Sequence, residues 1–98
     1  MRRLSDDLSD PEARPYFLWD EDVSLAEFKR RLRSADGETR LQTLAKLLRE
    51  ARDTDVWIFV TPQDVADSLP SLDRKLGRRQ RFWSFLIEGW RRLGIVHG

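Results

Sequence analysis

Val56-Trp57-Ile58-Phe59-Val60 is the stretch whose reading decides the fold. Its β-branched and aromatic content suits a short buried strand, yet no second run of that kind occurs elsewhere in the chain to pair with it. A lone strand has nowhere to place its backbone hydrogen bonds, so the stretch is read as one or two buried helical turns. Immediately after it, Thr61-Pro62-Gln63-Asp64 starts a new helix, with Thr61 as cap, Pro62 at the first helical position and an acid in the first turn. Val65, Ala66 and Leu69 face inward until Pro70 ends this helix.

Working toward the N-terminus, Leu41, Leu44, Ala45, Leu47, Leu48 and Ala51 fall within an arc of roughly 160° at 100° per residue. That pattern predicts a helix over roughly 38–52, packed on one side of a core. Ser24-Leu25-Ala26-Glu27 reads as a capping box, predicting a helix to about Arg33 with Leu25, Phe28 and Leu32 on one face. Ser34-Ala35-Asp36-Gly37 separates the two.

Toward the C-terminus, a last helix is expected from about Leu76 or Arg78 to Leu93. Phe82, Trp83, Phe85, Leu86, Ile87, Trp90 and Leu93 occupy an arc of roughly 200°, wider than one core-facing stripe requires. Either this is the central helix, covered by the others, or part of the stripe (Trp83, Ile87, Trp90) forms a dimer or partner interface, where Trp is a favoured anchor. The fold class that follows is all-α: a compact bundle of four to five short helices, with residues 15–98 as one domain. Residues 1–14, with Ser5, Ser9, Pro11 and paired acids and little apolar content, are expected to be a flexible acidic tail.

Pro15-Tyr16-Phe17-Leu18-Trp19-Asp20 packs four large apolar side chains into a segment with neither helical nor strand periodicity. It needs a surface to lie on. Phe17 and Trp19 can pack under the first helix as a hydrophobic staple, or Tyr16, Phe17 and Trp19, flanked by Asp20, Glu21 and Asp22, can anchor a partner protein.

Charge sharpens the choice of partner. The 98-residue chain has a net charge of +1, but residues 1–27 hold eight acids against three arginines, a net of −5, which leaves +6 for the rest. Arg74, Lys75, Arg78, Arg79 and Arg81 lie within eight residues, with Arg91 and Arg92 further on. Such a cluster is a candidate phosphate contact, although no helix-turn-helix spacing accompanies it. With no cysteine there is no disulfide framework or thiolate chemistry, and a reducing cytosol is the expected compartment. Neither a signal peptide nor a membrane-length apolar run is evident.

Catalytic and metal-binding patterns are not found. The single histidine, His97, is penultimate and expected to be frayed, and Asp20, Glu21 and Asp22 lack calcium-loop spacing. No glycine-rich phosphate loop or nucleophile elbow occurs, so neither catalysis nor a metal or other cofactor is expected.

Pro15–Asp20, Glu38-Thr39-Arg40-Leu41, Ala51–Trp57 and Thr61-Pro62-Gln63-Asp64-Val65 together resemble a group of short bacterial proteins encoded beside nucleotidyltransferase-type toxins of the abortive-infection class. The resemblance covers roughly residues 15–72; the chain from Arg74 onward is more basic than that group. It implies a small antitoxin-like or accessory protein that binds a toxin partner and has no catalysis of its own. The expected function is therefore a non-catalytic protein-interaction module. The alternatives are a helical nucleic-acid-binding or transcription-regulatory protein using the basic C-terminal helix, and a structural homo-oligomer.

Overall fold

The structure, a computed structural model, describes residues 3–72 and 74–98. Two short strands, β1 (Leu4–Ser5) and β2 (Arg14–Pro15), pair in parallel, with Leu4 opposite Arg14 and Ser5 opposite Pro15. Five α-helices follow among the described residues: α1 (Leu25–Leu32), α2 (Gly37–Glu50), α3 (Asp53–Val56), α4 (Pro62–Ser68) and α5 (Gln80–Arg92). Short 3-10 turns at Leu69–Leu72 and Gly77–Arg79 join the last two helices. The chain is thus mostly helical with a two-stranded pairing that the sequence reading did not include.

Helix α1 shows how its first turn is satisfied. The Ser24 hydroxyl accepts from the Glu27 amide at 3.2 Å, as the cap predicts. The reciprocal arm does not form. The Glu27 carboxylate instead takes hydrogen bonds from Arg30 and Arg31 on its own helix, because two charge-assisted donors three and four residues on outcompete one backbone N–H. The amides of Leu25 and Ala26 donate to the carbonyls of Ala13 (2.8 Å) and Pro11 (3.0 Å). Two otherwise unpaired helix-end donors are thereby met from the segment where composition predicts a flexible tail.

Residues 1 and 2 of that expected tail lie outside the described residues. The remainder turns through short side-chain-to-backbone bonds, Asp7 N to Ser5 Oγ, Ser9 N to Asp7 Oδ1 and Glu12 N to Asp10 Oδ1, and Leu8 packs against the core. Arg14 is buried and donates from Nε to the Glu21 carbonyl and from Nη2 to the Trp19 carbonyl, both at 2.8 Å. It closes the loop that follows.

The stretch Val56–Val60 is helical and turn-like. Val56 ends α3 and is fully buried, Phe59 and Val60 are half-buried, and Ile58 points to solvent. Helix α4 has the expected start: Thr61 Oγ1 accepts from the Asp64 amide and the Asp64 carboxylate accepts from the Thr61 amide. Pro70 does not end the helical path outright, since the chain tightens into a 3-10 turn that buries Leu72.

Two aromatic clusters fill the core. Phe17, Phe28 and Phe59 meet edge to face with centroids 5.0–5.8 Å apart. Trp57 contacts Trp83 at 5.7 Å and Trp90 at 5.3 Å, and the Trp83 indole donates to the Leu48 carbonyl at 2.8 Å. The C-terminus is tied down, against the expectation of fraying. Val96 is buried, and the backbone of His97 exchanges two hydrogen bonds with the Gln63 amide, at 2.9 and 3.0 Å.

Candidate docking face

Helix α5 runs along the outside of the core and divides into rows four residues apart. Trp83 and Ile87 point straight inward and are fully buried. Phe82, Leu86 and Trp90 form the next row, half-buried against the core. Beyond them lies a third row, Arg81–Phe85–Gly89–Leu93, which faces solvent. Phe85 is 82% exposed and Leu93 74%, and Ile95, just past the helix end, is 54% exposed.

Gly89 interrupts that outer row. A Cβ built there meets no atom within 4 Å, so nothing in the chain requires glycine at this position. Glycine inside a helix is disfavoured by roughly 1 kcal/mol relative to alanine. The result is a notch between two exposed apolar side chains, one helical turn from each.

The helix ends in a Schellman motif that sets where Ile95 sits. Gly94 adopts φ 76°, the Gly94 amide donates to Arg91 O at 3.2 Å and the Ile95 amide to Trp90 O at 2.9 Å.

The sequence candidates fall on different sides of this surface. Of the proposed dimer stripe, Trp83 and Ile87 are core residues and unavailable to a partner, and Trp90 is half-buried against Trp57. A helical wheel gives the width of an apolar arc but not which part of it the other helices cover. The residues left outside are Phe85 and Leu93.

Pro15–Asp22 divides between core and surface. Phe17 is 1% exposed, in the Phe28–Phe59 cluster. The Tyr16 hydroxyl donates to Asp55 Oδ2 at 2.7 Å and accepts from the Arg52 amide at 2.8 Å, strapping the loop to the start of α3. Burial first, and the bond to Asp55 second, push the Tyr16 phenol above its ordinary pKa. Trp19 is 57% exposed, with Lys46 5.2 Å from its ring centroid and its indole donating to Glu50 at 3.3 Å. Asp20 accepts from Lys46 at 2.6 Å, which holds its carboxyl below the usual range, and Glu21 pairs with Arg31 at 3.3 Å. Asp22 is exposed.

The basic cluster splits as well. The Arg79 guanidinium lies over the Phe82 ring at 4.5 Å, with two of its nitrogens buried, so it belongs to the core wall. Lys75 is half-buried and its carbonyl accepts from Arg49. Arg91 and Arg92 both reach Glu88, at 3.0 and 3.9 Å. Arg74, Arg78 and Arg81 are exposed. These three, with the exposed Arg92 only 3.9 Å from Glu88, can approach phosphates or acids, fewer than the seven of the sequence cluster.

Elsewhere, a groove of about 490 Å³ lies between α1, α2 and α4, with Leu32, Leu44 and Phe59 among its apolar lining and Arg33 and Asp64 among its charged lining. Among the described residues no group of three or more His, Cys, Asp or Glu side chains is placed to hold a metal ion. Among them, too, no helix is long and apolar enough to cross a membrane. The sequence reading placed Phe85 and Leu93 in the wide apolar arc and named Arg81 and Arg92 as candidate phosphate contacts, but it singled out Trp83, Ile87 and Trp90 for the stripe and passed over Gly89; the mid-helix glycine beside an over-wide apolar arc was the available signal. Comparison of the chain with protein-family models, curated proteins and solved structures gives no match, which leaves this surface itself as the basis for a functional reading.

Proposed function

We propose that this chain is a non-catalytic protein-interaction module that docks through the outer face of α5. The observation that carries the reading is the exposure of Phe85, Leu93 and Ile95 along the outer side of α5 and just past its end. Large apolar side chains left in water forgo about 1.5–3 kcal/mol each that burial would return, and clustered exposure of this kind marks binding surfaces. The resemblance of residues 15–72 to proteins encoded beside nucleotidyltransferase-type toxins supports a specific setting. In it the chain is the antitoxin or accessory partner, acting in the cytoplasm by covering the toxin, with no cofactor. Occlusion needs apolar anchors and charge, and α5 carries exposed apolar side chains with arginines near both of its ends.

The test is co-expression of the tagged chain with its adjacent gene product, followed by capture and size-exclusion with light scattering. The wild-type chain is expected to retain the neighbour, and Phe85→Ser to lose it with an unchanged melting curve. Retention by the Phe85→Ser variant overturns the reading.

A second reading, nucleic-acid binding, is supported by the exposure of Arg74, Arg78 and Arg81. It requires retention that falls steeply with salt, in proportion to the phosphates neutralised, and that is indifferent to Phe85→Ser.

A further inference from the structure

We infer that the occupant of the α5 face is an amphipathic helix of the partner protein, with an apolar ridge flanked by Asp and Glu and one large apolar side chain seated at Gly89; this rests on the interaction reading above. The shape argument starts from the two rows. The inner row Phe82–Leu86–Trp90 and the outer row Arg81–Phe85–Gly89–Leu93 run parallel along α5, and the furrow between them is what a partner helix's ridge fills. Gly89 opens that furrow outward between Phe85 and Leu93, and a Cβ there meets nothing within the chain. Internal packing does not demand the glycine, and the open space it leaves admits a side chain arriving from outside.

The charges beside the face set the partner's flanks. Arg78 and Arg81 are exposed at the N-terminal end of the face and make no ion pair among the described residues, while Arg92 is exposed at the other end and only 3.9 Å from Glu88. Glu88 is the sole acid on the helix and is already shared between Arg91 and Arg92. The rim is therefore cationic at its N-terminal end, and toward its C-terminal end the single acid Glu88 is outnumbered by Arg91 and Arg92. A second copy of the chain is disfavoured as occupant, because a two-fold pairing of α5 helices sets these arginines against one another. Acidic flanks on a foreign helix meet them instead.

The test uses two synthetic helical peptides with the same leucine ridge, one flanked by glutamate and one by lysine, titrated into the fluorescently labelled full chain near physiological salt. Binding of the glutamate peptide, and not the lysine peptide, is expected. Gly89→Leu fills the notch and is expected to weaken binding about tenfold or more, while thermal stability holds or rises. Arg81→Glu is expected to weaken the glutamate peptide by a similar factor and to admit the lysine peptide. Equal binding of the two peptides, absence of binding, or indifference to Gly89→Leu overturns the inference, as does Phe85-dependent self-association in sedimentation equilibrium. Capture of the neighbour-encoded protein separates the two levels of the account. A partner lost on Phe85→Ser but indifferent to Arg81→Glu removes the acidic helix and leaves the interaction reading standing; a partner indifferent to both removes the two together.

Discussion

Replacing Tyr16 with Phe removes one oxygen and two hydrogen bonds while keeping the ring, which makes it the sharpest test of whether the Pro15–Asp20 segment is internal scaffolding. The lost bonds are the 2.7 Å donation to the Asp55 carboxylate and the 2.8 Å acceptance from the Arg52 amide. The edge-to-face contact with Phe17 at 5.3 Å and the Arg52 guanidinium 4.7 Å from the Tyr16 ring centroid are retained. A neutral hydrogen bond contributes about 1 kcal/mol net and one to a charged group about 1.5–3. Arg52 is exposed and Tyr16 and Asp55 are half-buried, so water takes over part of both. The expected loss is about 2 kcal/mol, which in a domain of this size lowers the melting temperature by roughly 10 °C. The measurement is urea and thermal unfolding of Tyr16→Phe, Asp55→Ala and the double variant, whose coupling energy isolates the bond. A loss below about 0.5 kcal/mol, or additive single effects, would refute the strap. The raised Tyr16 pKa adds a pH signature. Stability from the protonated phenol is complete below the ordinary pKa of 10.0 and is lost as pH rises through the higher folded value, so Tyr16→Phe should flatten the alkaline limb.

Three further outcomes are expected. Gly89→Ala should stabilise the chain by about 0.5–1 kcal/mol in denaturant unfolding, since the added Cβ meets nothing and the helix gains propensity. Gly94→Ala should destabilise it by about 1–2 kcal/mol, because φ 76° is open to glycine and strained for alanine. Hydrogen bonds from Arg30, then the charges of Arg30 and Arg31, hold the Glu27 carboxyl at about 2 against an ordinary 4.5. The stability this supplies is present above pH 4.5 and lost as pH falls toward 2; Glu27→Gln should make that acid limb shallower in pH-resolved melts.

What the sequence made legible is local. The start of α4 lies entirely within Thr61–Asp64, where cap, proline and acid each act on the next turn, and its geometry follows without outside help. Helix α2 was legible because its apolar residues, Leu41 to Ala51, repeat at helical spacing over about three turns. The reading failed where a partner distant in sequence decides the outcome. Arg14 sits in an acid-rich stretch that reads as tail, yet it is buried because the carbonyls of Trp19 and Glu21 surround its guanidinium. Glu27 fits a capping box by spacing, but Arg30 and Arg31 compete for its carboxylate. On α5, one face of the wide arc had to be outside, and the choice between Trp83 and Phe85 depended on where α2 places the Leu48 carbonyl that receives the Trp83 indole. Tyr16 and Phe17 illustrate the same limit, since their partners Asp55 and Phe59 lie about forty residues along the chain.

The central claim is that partner recognition lives on α5 and not on the aromatic N-terminal segment. It is tested most directly by capture of the neighbour-encoded protein with Phe85→Ser and Trp19→Ala side by side, each normalised to folded chain. The account predicts that Phe85→Ser abolishes capture and Trp19→Ala retains it. Loss with Trp19→Ala and full retention with Phe85→Ser would contradict it.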